Sequence, residues 1–163
     1  MSLSIIVPVY NESENINPFT DRVLLVLNKI NVKYEIIFVL DPSEDDTENK
    51  ILELIKENPN IKLIKFSRRF GQPSAMLAGI KNSSMDNVVL IDVDLQDPPE
   101  LIQQMYESRK EGYETILAKR SKKKGENIIK KIISDLGYFL IYKLSDTNIP
   151  RNVGEFRLIS RRV

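Results

Sequence analysis

Two aspartates separated by one residue follow an apolar run, and they are the residues of this chain best suited to chemistry. Residues 88–91 lead into Asp92, Val93 and Asp94, with Gln96 two residues further on. Because side chains alternate in direction along an extended chain, Asp92, Asp94 and Gln96 share one side if the strand persists. Two carboxylates and an amide oxygen held that close need a cation, and such ligands suit Mg²⁺ or Mn²⁺. The pattern therefore predicts a site for a divalent metal ion that can also bind a diphosphate.

These acids also have a structural interpretation, because an Asp-x-Asp can simply cap and solvate the end of a strand. Asp97 is followed by Pro98 and, three residues on, by Glu100. This is the arrangement of a helix N-cap with an acidic capping box. The pattern favours capping over direct chemistry for Asp97.

Composition limits the chemistry that is open to the chain. The 163 residues, 42% hydrophobic and 29% charged, suit one globular domain. The chain has no cysteine and no histidine, which excludes disulfides, thiolate metal sites and Cys or His catalysis. A formal net charge of +1 gives no electrostatic reason to expect nucleic acid as a partner. No secretion signal and no apolar run of about eighteen residues is present, so the chain as given is predicted to be soluble.

Apolar, β-rich runs alternate with stretches of helical period, which predicts an α/β fold with a mostly parallel central sheet flanked by helices. The predicted strands are residues 4–9, 34–40, 61–67, 87–93, 114–120 and 154–160. The predicted helices are residues 16–30, 47–58, 73–81, one that starts at Asp97, and 126–144. The fourth strand is expected in the centre of the sheet, and Pro8 in the first strand indicates an edge or a bulge near a ligand.

A run of positive charge occupies residues 119–125 and continues with Lys130 and Lys131. Such a run can be a solvated loop and helix face. It can also bind phosphate or a membrane surface, where each Lys or Arg contributes about 1 kcal/mol beside anionic lipid. Both interpretations stay open at this point.

Several segments together resemble the family 2 inverting glycosyltransferases of the GT-A fold. They are residues 5–12 (Ile-Ile-Val-Pro-Val-Tyr-Asn-Glu), 38–47, 68–79, 92–100 and 154–158. The Leu-Gln-Asp-Pro-Pro-Glu continuation after the acids is similar to the polyprenyl-phosphate branch, which includes the dolichyl-phosphate mannosyltransferases and the bactoprenol glucosyltransferases. The resemblance covers nearly the whole chain and implies a single GT-A catalytic domain, residues 1–163, without the C-terminal end or transmembrane helices of such enzymes.

The resemblance implies a function as well as a fold. It implies transfer of a sugar, with inversion, from a UDP- or GDP-sugar to a polyprenyl phosphate (undecaprenyl or dolichyl), dependent on Mg²⁺ or Mn²⁺. The full-length protein is then expected at the membrane surface, on its cytoplasmic face. A lipid phosphate is already anionic near neutral pH, so such a reaction hardly needs a strong general base.

The resemblance also assigns roles to residues. The nucleotide-sugar contacts are Pro8, Tyr10, Asn11, Glu12, Asp41, Gly71, Gln72, Asp92 and Val93. The metal ligands are Asp92, Asp94 and Gln96, and the catalytic residues are Asp94, Asp97 and Glu155. The acceptor phosphate is assigned to Arg120, Lys123, Lys131 and Arg157. Leu40 and Pro42 depart from the family pattern, which has Asp and Gly at these positions of the base-contacting loop.

Some of these residues have simpler roles open to them. Tyr10 can be a packing residue, and Asn11 and Glu12 can cap the first helix. Arg157 is either an acceptor ligand or a structural partner of Glu155.

Other functions are considered as alternatives. The first is the same fold acting on a sugar hydroxyl of a polysaccharide or glycoconjugate, where Glu155 or Asp97 must act as a base. The second is a non-catalytic nucleotide-binding module. The third is that this chain folds and binds nucleotide without turnover, because the remaining part of such enzymes carries acceptor contacts. A phospho-receiver is disfavoured because residues 11–12 and 67–68 lack its acids, and no Gly-x-Gly-x-x-Gly supports a dinucleotide-binding domain. The sequence predicts no oligomeric state.

Overall fold

A computed structural model describes residues 1–119 and 153–163. The chain divides into two compact units, Met1–Leu117 with Glu155–Val163, and Ala118–Gly154. The helix predicted at residues 126–144 lies outside the described residues.

The described residues form an α/β fold with six strands and four helices. The strands are β1 (Leu3–Val9), β2 (Tyr34–Leu40), β3 (Ile61–Lys65), β4 (Asn87–Leu90), β5 (Thr115–Lys119) and β6 (Val153–Ser160). The helices are α1 (Ser13–Ile30), α2 (Thr47–Glu57), α3 (Gln72–Asn82) and α4 (Leu101–Lys110). No helix in this part of the chain is both long and apolar enough to cross a membrane.

The strands form one sheet in the order β3-β2-β1-β4-β6-β5. Strands β1 to β4 pair in parallel, from Leu3 opposite Tyr34 to Val9 opposite Leu40 in the β1–β2 pair. Strand β6 runs antiparallel to β4. The mostly parallel sheet that the alternating pattern predicted is therefore confirmed.

The core lies along β1 and β2, because nearly every side chain of these two strands is buried. Strands covered on both faces require continuous apolar runs, which residues 5–9 and 36–40 supply. Helix α1 packs through one apolar face, with Ile16, Phe19 and Val23 buried. Parallel strands joined by such helices bring their carboxyl ends to one edge of the sheet.

Helix α3 lies unusually close to β1. A Cβ placed on Gly79 would stand 2.2 Å from Cγ2 of Ile6, closer than any real contact. Ala75 and Met76 of the same helix are buried against the sheet with Ile6. The absence of a side chain at Gly79 thus fixes the distance between α3 and β1.

Two predicted boundaries around the acidic segment are wrong. Strand β4 ends at Leu90 rather than at residue 93, and α4 begins at Leu101 rather than after Asp97. A proline disfavours helical geometry at the residue before it, so Pro99 opposes a helix start at Pro98. The helix has Glu100 as its N-cap, with no side-chain capping bond.

Glu100 and Asp97 do not form the capping box that the sequence predicted. Arg22 of α1 donates two hydrogen bonds to the Glu100 carboxylate, at 2.9 and 2.7 Å. Asp97 is 4% exposed and does not occupy the N-cap position. The capping role that the sequence favoured for Asp97 is therefore wrong.

The sequence predicted that Pro8 lies in an edge strand or at a bulge near a ligand. The edge position is wrong, because β1 has β2 and β4 as neighbours. Pro8 is in register with Val39 of β2. Strand β4 ends opposite Ile6, and its last backbone bond to β1 runs from Ile91 N to the Ile6 carbonyl. Pro8 lies beyond that point, where a missing N–H breaks no bond to β4.

A buried carboxylate lies near the amino ends of the strands. Glu35 of β2 is 1% exposed and accepts hydrogen bonds from Ser4 Oγ (2.5 Å), Lys62 Nζ (2.6 Å) and Ser84 N (2.6 Å). Burial opposes ionisation, but the bonds from Lys62, Ser4 and Ser84 outweigh it and lower the pKa of Glu35 to about 2. The ionised form therefore stabilises the fold.

This arrangement predicts how the free energy of unfolding depends on pH. A carboxyl with a folded pKa of about 2 and an ordinary value of 4.5 stabilises the protein above pH 4.5 and loses that contribution as the pH falls towards 2. We expect Glu35→Gln to lose up to about 3 kcal/mol at pH 7. The gap to wild type should close between about pH 5 and 2 in urea unfolding. The exposed Glu53→Gln serves as control, and a gap independent of pH would contradict this account.

The close approach of α3 predicts a second stability effect. Gly79→Ala should push α3 away from Ile6 and reduce the free energy of unfolding by about 1–3 kcal/mol. Lys81→Ala, at an exposed position of the same helix, should change it by less than about 0.5 kcal/mol. Equal thermal midpoints for Gly79→Ala and wild type would refute the tight contact.

Candidate active site

A cavity of about 280 Å³ lies at the carboxyl ends of the central strands. This edge of a parallel sheet is where α/β proteins bind ligands. The cavity is lined by Pro8, Val9, Tyr10, Glu12, Asp41, Gln72, Ala75, Asp92, Val93 and Asp94. Segments far apart in sequence, after β1, β2, β3 and β4, thus meet at one place.

The cavity brings together most of the residues that the sequence assigned to the donor, and Asp94 with them. Val9 and Ala75 also line it, although no pattern in the sequence singles out these two apolar residues of a strand and a helix. In the part of the chain that the structure describes, the lining does not include Asn11, Gly71 or Gln96. Their roles in binding stay predictions.

Asp92 and Asp94 are half-buried and follow the end of β4. Burial raises the pKa of Asp92, the bond from the Gln72 amide opposes this, and the carboxylates of Asp94, Asp97 and Glu155 raise it further. Negative charge is therefore concentrated around Asp92.

The chain does not continue as a strand through Gln96. Leu95 has a φ of 60°, and the Gln96 backbone N–H donates to Asp94 Oδ1 at 3.0 Å. The residues after Asp94 form a turn, and the Gln96 side chain is exposed. Side chains do not alternate along an extended strand from Asp94 to Gln96, so strand geometry does not place Gln96 on the same side as the two aspartates. Its role as a metal ligand stays a prediction.

Two aspartates of this site do not by themselves make a complete metal cage. Within residues 1–119 and 153–163, no group of three or more His, Cys, Asp or Glu side chains could hold a metal ion. A small divalent cation is commonly held by one or two carboxylates together with substrate phosphates and water. Asp92 and Asp94, lining one cavity, fit that incomplete type of site.

Asp41 is buried at the end of β2, and both of its carboxylate oxygens accept backbone hydrogen bonds. Phe70 N donates to Oδ1 and Gly71 N donates to Oδ2, each at 2.9 Å. Gly71 has a φ of 82°, a conformation that favours glycine. Asp41 therefore fixes the loop between β3 and α3, while its side chain also lines the cavity.

The loops after β1 and β2 are bonded to each other. Asn11 donates its N–H to Ser43 Oγ at 3.0 Å, and its side-chain oxygen accepts the N–H of Glu44 at 2.9 Å. Glu12 N donates to Thr47 Oγ1 at 2.8 Å. Asn11 thus joins two loops instead of capping α1 with its own side chain.

Asp45, in the loop after β2, accepts a hydrogen bond from the first backbone N–H of α1. It accepts the N–H of Ser13 at 2.9 Å and the hydroxyl of Thr47 at 2.5 Å. Burial opposes ionisation, yet the bonds from Thr47 and Ser13 lower the pKa of Asp45 to about 2. The sequence offered no signal for this cap, because Asp45 lies far from Ser13 along the chain.

Tyr10 lies at the cavity with a cation over its ring. The guanidinium carbon of Arg69 is 3.9 Å from the ring centroid, which is a cation–π contact. Tyr10 is therefore partly a packing residue, as the simpler interpretation held, and it also lines the cavity.

The acceptor-side predictions are described only in part. On β6, Arg157 Nη2 donates to Glu155 Oε2 at 2.7 Å, so the structural pairing of these two residues is present. Arg120, Lys123 and Lys131 lie outside the described residues. Their assignment to an acceptor phosphate stays a prediction.

Known proteins resemble the chain in sequence. The family model for glycosyl transferase family 2 matches residues 4–163. The uncharacterized glycosyltransferase YkcC of Bacillus subtilis is 42% identical over 164 residues, which cover 98% of this chain and 50% of YkcC. The bactoprenol glucosyl transferase of Shigella phage SfV is 39% identical over 163 residues, 100% of this chain and 53% of that enzyme.

Solved glycosyltransferases share the fold at lower identity. The mannosyltransferase PcManGT from Pyrobaculum calidifontis, in complex with GDP-Man and Mn²⁺, has a TM-score of 0.67 and 19% identity, over 98% of this chain and 44% of that one. The glucosyl-3-phosphoglycerate synthase from Mycobacterium tuberculosis, in complex with Mn²⁺, UDP-glucose and phosphoglyceric acid, has a TM-score of 0.68 and 20% identity, over 99% and 57%. These likenesses confirm the predicted GT-A fold.

The chain spans about half the length of the curated relatives it matches. The family match nevertheless runs from the first strand to the last residue. The chain belongs to glycosyl transferase family 2.

Proposed function

We propose that this protein transfers a sugar from a UDP- or GDP-sugar to a polyprenyl phosphate, with inversion and with the help of Mg²⁺ or Mn²⁺. The similarity to bactoprenol glucosyl transferases supports the lipid acceptor. Solved structures of the same fold, in complex with GDP-Man or UDP-glucose and Mn²⁺, support the donor and the metal. Action on the cytoplasmic face of a membrane belongs to the same proposal.

The observation that carries the proposal is that Asp92 and Asp94 line one cavity with residues from three other loops. Carboxylates placed together at a partly buried site repel each other and are stabilised by a hard divalent cation. A sugar nucleotide brings a diphosphate, whose oxygens can complete the coordination that two carboxylates leave open.

Different residues of the cavity would bind the cation and the nucleoside. Asp92 and Asp94 would hold the cation, which when bound neutralises the diphosphate as negative charge develops on the leaving group. Asp41 and Tyr10 lie where the nucleoside is expected, at the ends of β2 and β1. The sugar would then lie between the diphosphate and the acceptor, so that attack comes from the opposite face.

The acceptor requires charge complementarity more than proton transfer. A lipid phosphate oxygen is anionic near neutral pH, so Asp97 or Glu155 would orient the acceptor without deprotonating it. Arg157 and the cationic residues Arg120, Lys123 and Lys131 would bind that phosphate and offset its repulsion from the donor. The proposal therefore assigns separate residues to each of the two phosphate-bearing substrates.

Removal of one carboxylate tests the donor site. In calorimetric titrations of UDP-glucose, UDP-N-acetylglucosamine and GDP-mannose, we expect wild type to bind one donor more tightly with Mn²⁺. Asp94→Asn keeps the shape but loses the charge, and should reduce this Mn²⁺-dependent affinity by at least about tenfold.

The matched control is Asp21→Asn, at an exposed position of α1, which should bind the donor like wild type. Donor affinity that is the same with and without Mn²⁺, and unchanged in Asp94→Asn, would refute the proposed site.

Charge removal at residues 122–124 tests the acceptor. Replacing these three lysines by glutamine should slow transfer to a polyprenyl phosphate by about tenfold or more, because phosphate binding depends on cationic donors. The control replaces the exposed Lys29, Lys56 and Lys81 by glutamine. Unchanged transfer to the lipid, or better transfer to a sugar hydroxyl, would favour the polysaccharide acceptor instead.

A further inference from the structure

Gln72 is the first residue of α3, and its side chain contacts one of the two aspartates of the cavity. Its amide Nε2 donates to Asp92 Oδ1 at 2.6 Å. This hydrogen bond joins the start of α3 to the segment after β4, twenty residues further along the chain. It restricts rotation of the Asp92 carboxylate and so determines where the second oxygen lies.

From this bond we propose that Gln72 is a positioning residue, which orients Asp92 for the cation. The inference rests on the proposed function and adds a residue to it. Groups that hydrogen-bond to a metal ligand fix its orientation, and their loss commonly lowers metal affinity about 10- to 100-fold.

The type of side chain at residue 72 suits this role. The amide of Gln72 is a neutral donor, so it orients Asp92 without cancelling the negative charge that attracts a cation. A lysine at the same place would compete with the cation for Asp92, and a glutamate would add repulsion. An amide is therefore the donor that preserves both the charge and the direction of Asp92.

The backbone at Gln72 is held from two sides. Asp41 accepts the N–H groups of Phe70 and Gly71, the residues immediately before Gln72. Helix α3, which begins at Gln72, packs on β1 at the distance that Gly79 sets. A side chain anchored on a rigid element holds its partner more precisely than one on a free loop. Asp41 thus acts on Asp92 through Gln72.

The test measures Mn²⁺ affinity directly, by calorimetry or by the electron paramagnetic resonance of free Mn²⁺, with UDP or GDP present. Gln72→Met keeps the length of the side chain but has no donor, and Gln72→Asn keeps the amide but is shorter by about 1.5 Å. We expect both to weaken Mn²⁺ binding by about 10- to 100-fold. Their thermal midpoints should equal that of wild type. The loss of Mn²⁺ affinity should exceed any loss of affinity for UDP or GDP without metal, to which Gln72 can also contribute as a residue of the cavity lining.

The control is Gln104→Met, at an exposed position of α4, which should bind Mn²⁺ like wild type. Wild-type Mn²⁺ affinity in both Gln72 variants would overturn the inference and leave the metal-dependent function standing. Loss of thermal stability, or a loss of metal-free nucleotide affinity as large as the loss of Mn²⁺ affinity, would assign Gln72 a structural or a nucleotide-binding role and also overturn it. No Mn²⁺ binding by the wild-type chain in the presence of nucleotide would overturn the proposed function and, with it, this inference.

Discussion

The close placement of acidic groups after β4 is the constraint on which the rest of the site depends. Asp92 has a raised pKa because it is buried and because Asp94, Asp97 and Glu155 are near it. Such a concentration of like charge does not favour folding, so the surrounding structure must hold it in place. In the proposed function, a cation and a diphosphate bound there would offset this repulsion.

The stability that holds these acids comes from the centre of the sheet. Strand β4 is bonded to β1 along Leu3–Ile6, and β1 is buried against β2 and α3. Glu35 stabilises the opposite end of the same strands with a fully bonded carboxylate. Glu35 and Asp92 thus differ in character. Glu35 at the amino ends has satisfied hydrogen bonds and a lowered pKa, whereas Asp92 at the carboxyl ends has a raised one.

The fold could be predicted from the sequence where burial alone determines structure. Strand β2 was predicted with its observed bounds, because its residues 36–40, buried on both faces, form an uninterrupted apolar run. Prediction failed between residues 90 and 101, where two prolines and four acids create local signals that compete with one another. The contacts of the site were not predictable either. Asp41 bonds to Phe70 and Gly71, and Gln72 bonds to Asp92, across distances in sequence that leave no periodic pattern.

Leu40 and Pro42, which differ from the family pattern, lie in and next to the buried end of β2. Leu40 is 2% exposed and its carbonyl accepts the N–H of Phe66, so this position belongs to the core of the sheet. The Asp45 carboxylate accepts hydrogen bonds from Ser13 and Thr47. Asp41 is the acid of this loop that lines the cavity.

Asp41 can hold its own loop and still bind a ligand. Each carboxylate oxygen has two lone pairs, and the bond from Phe70 or Gly71 uses one on each oxygen. One further donor can therefore approach each oxygen of Asp41. In the proposed function these donors are the N–H groups of a nucleobase or a ribose hydroxyl, while Pro42 offers no backbone N–H of its own. Recognition of the nucleoside in this loop then depends on the same carboxylate that positions Gln72, which couples donor binding to the geometry of Asp92.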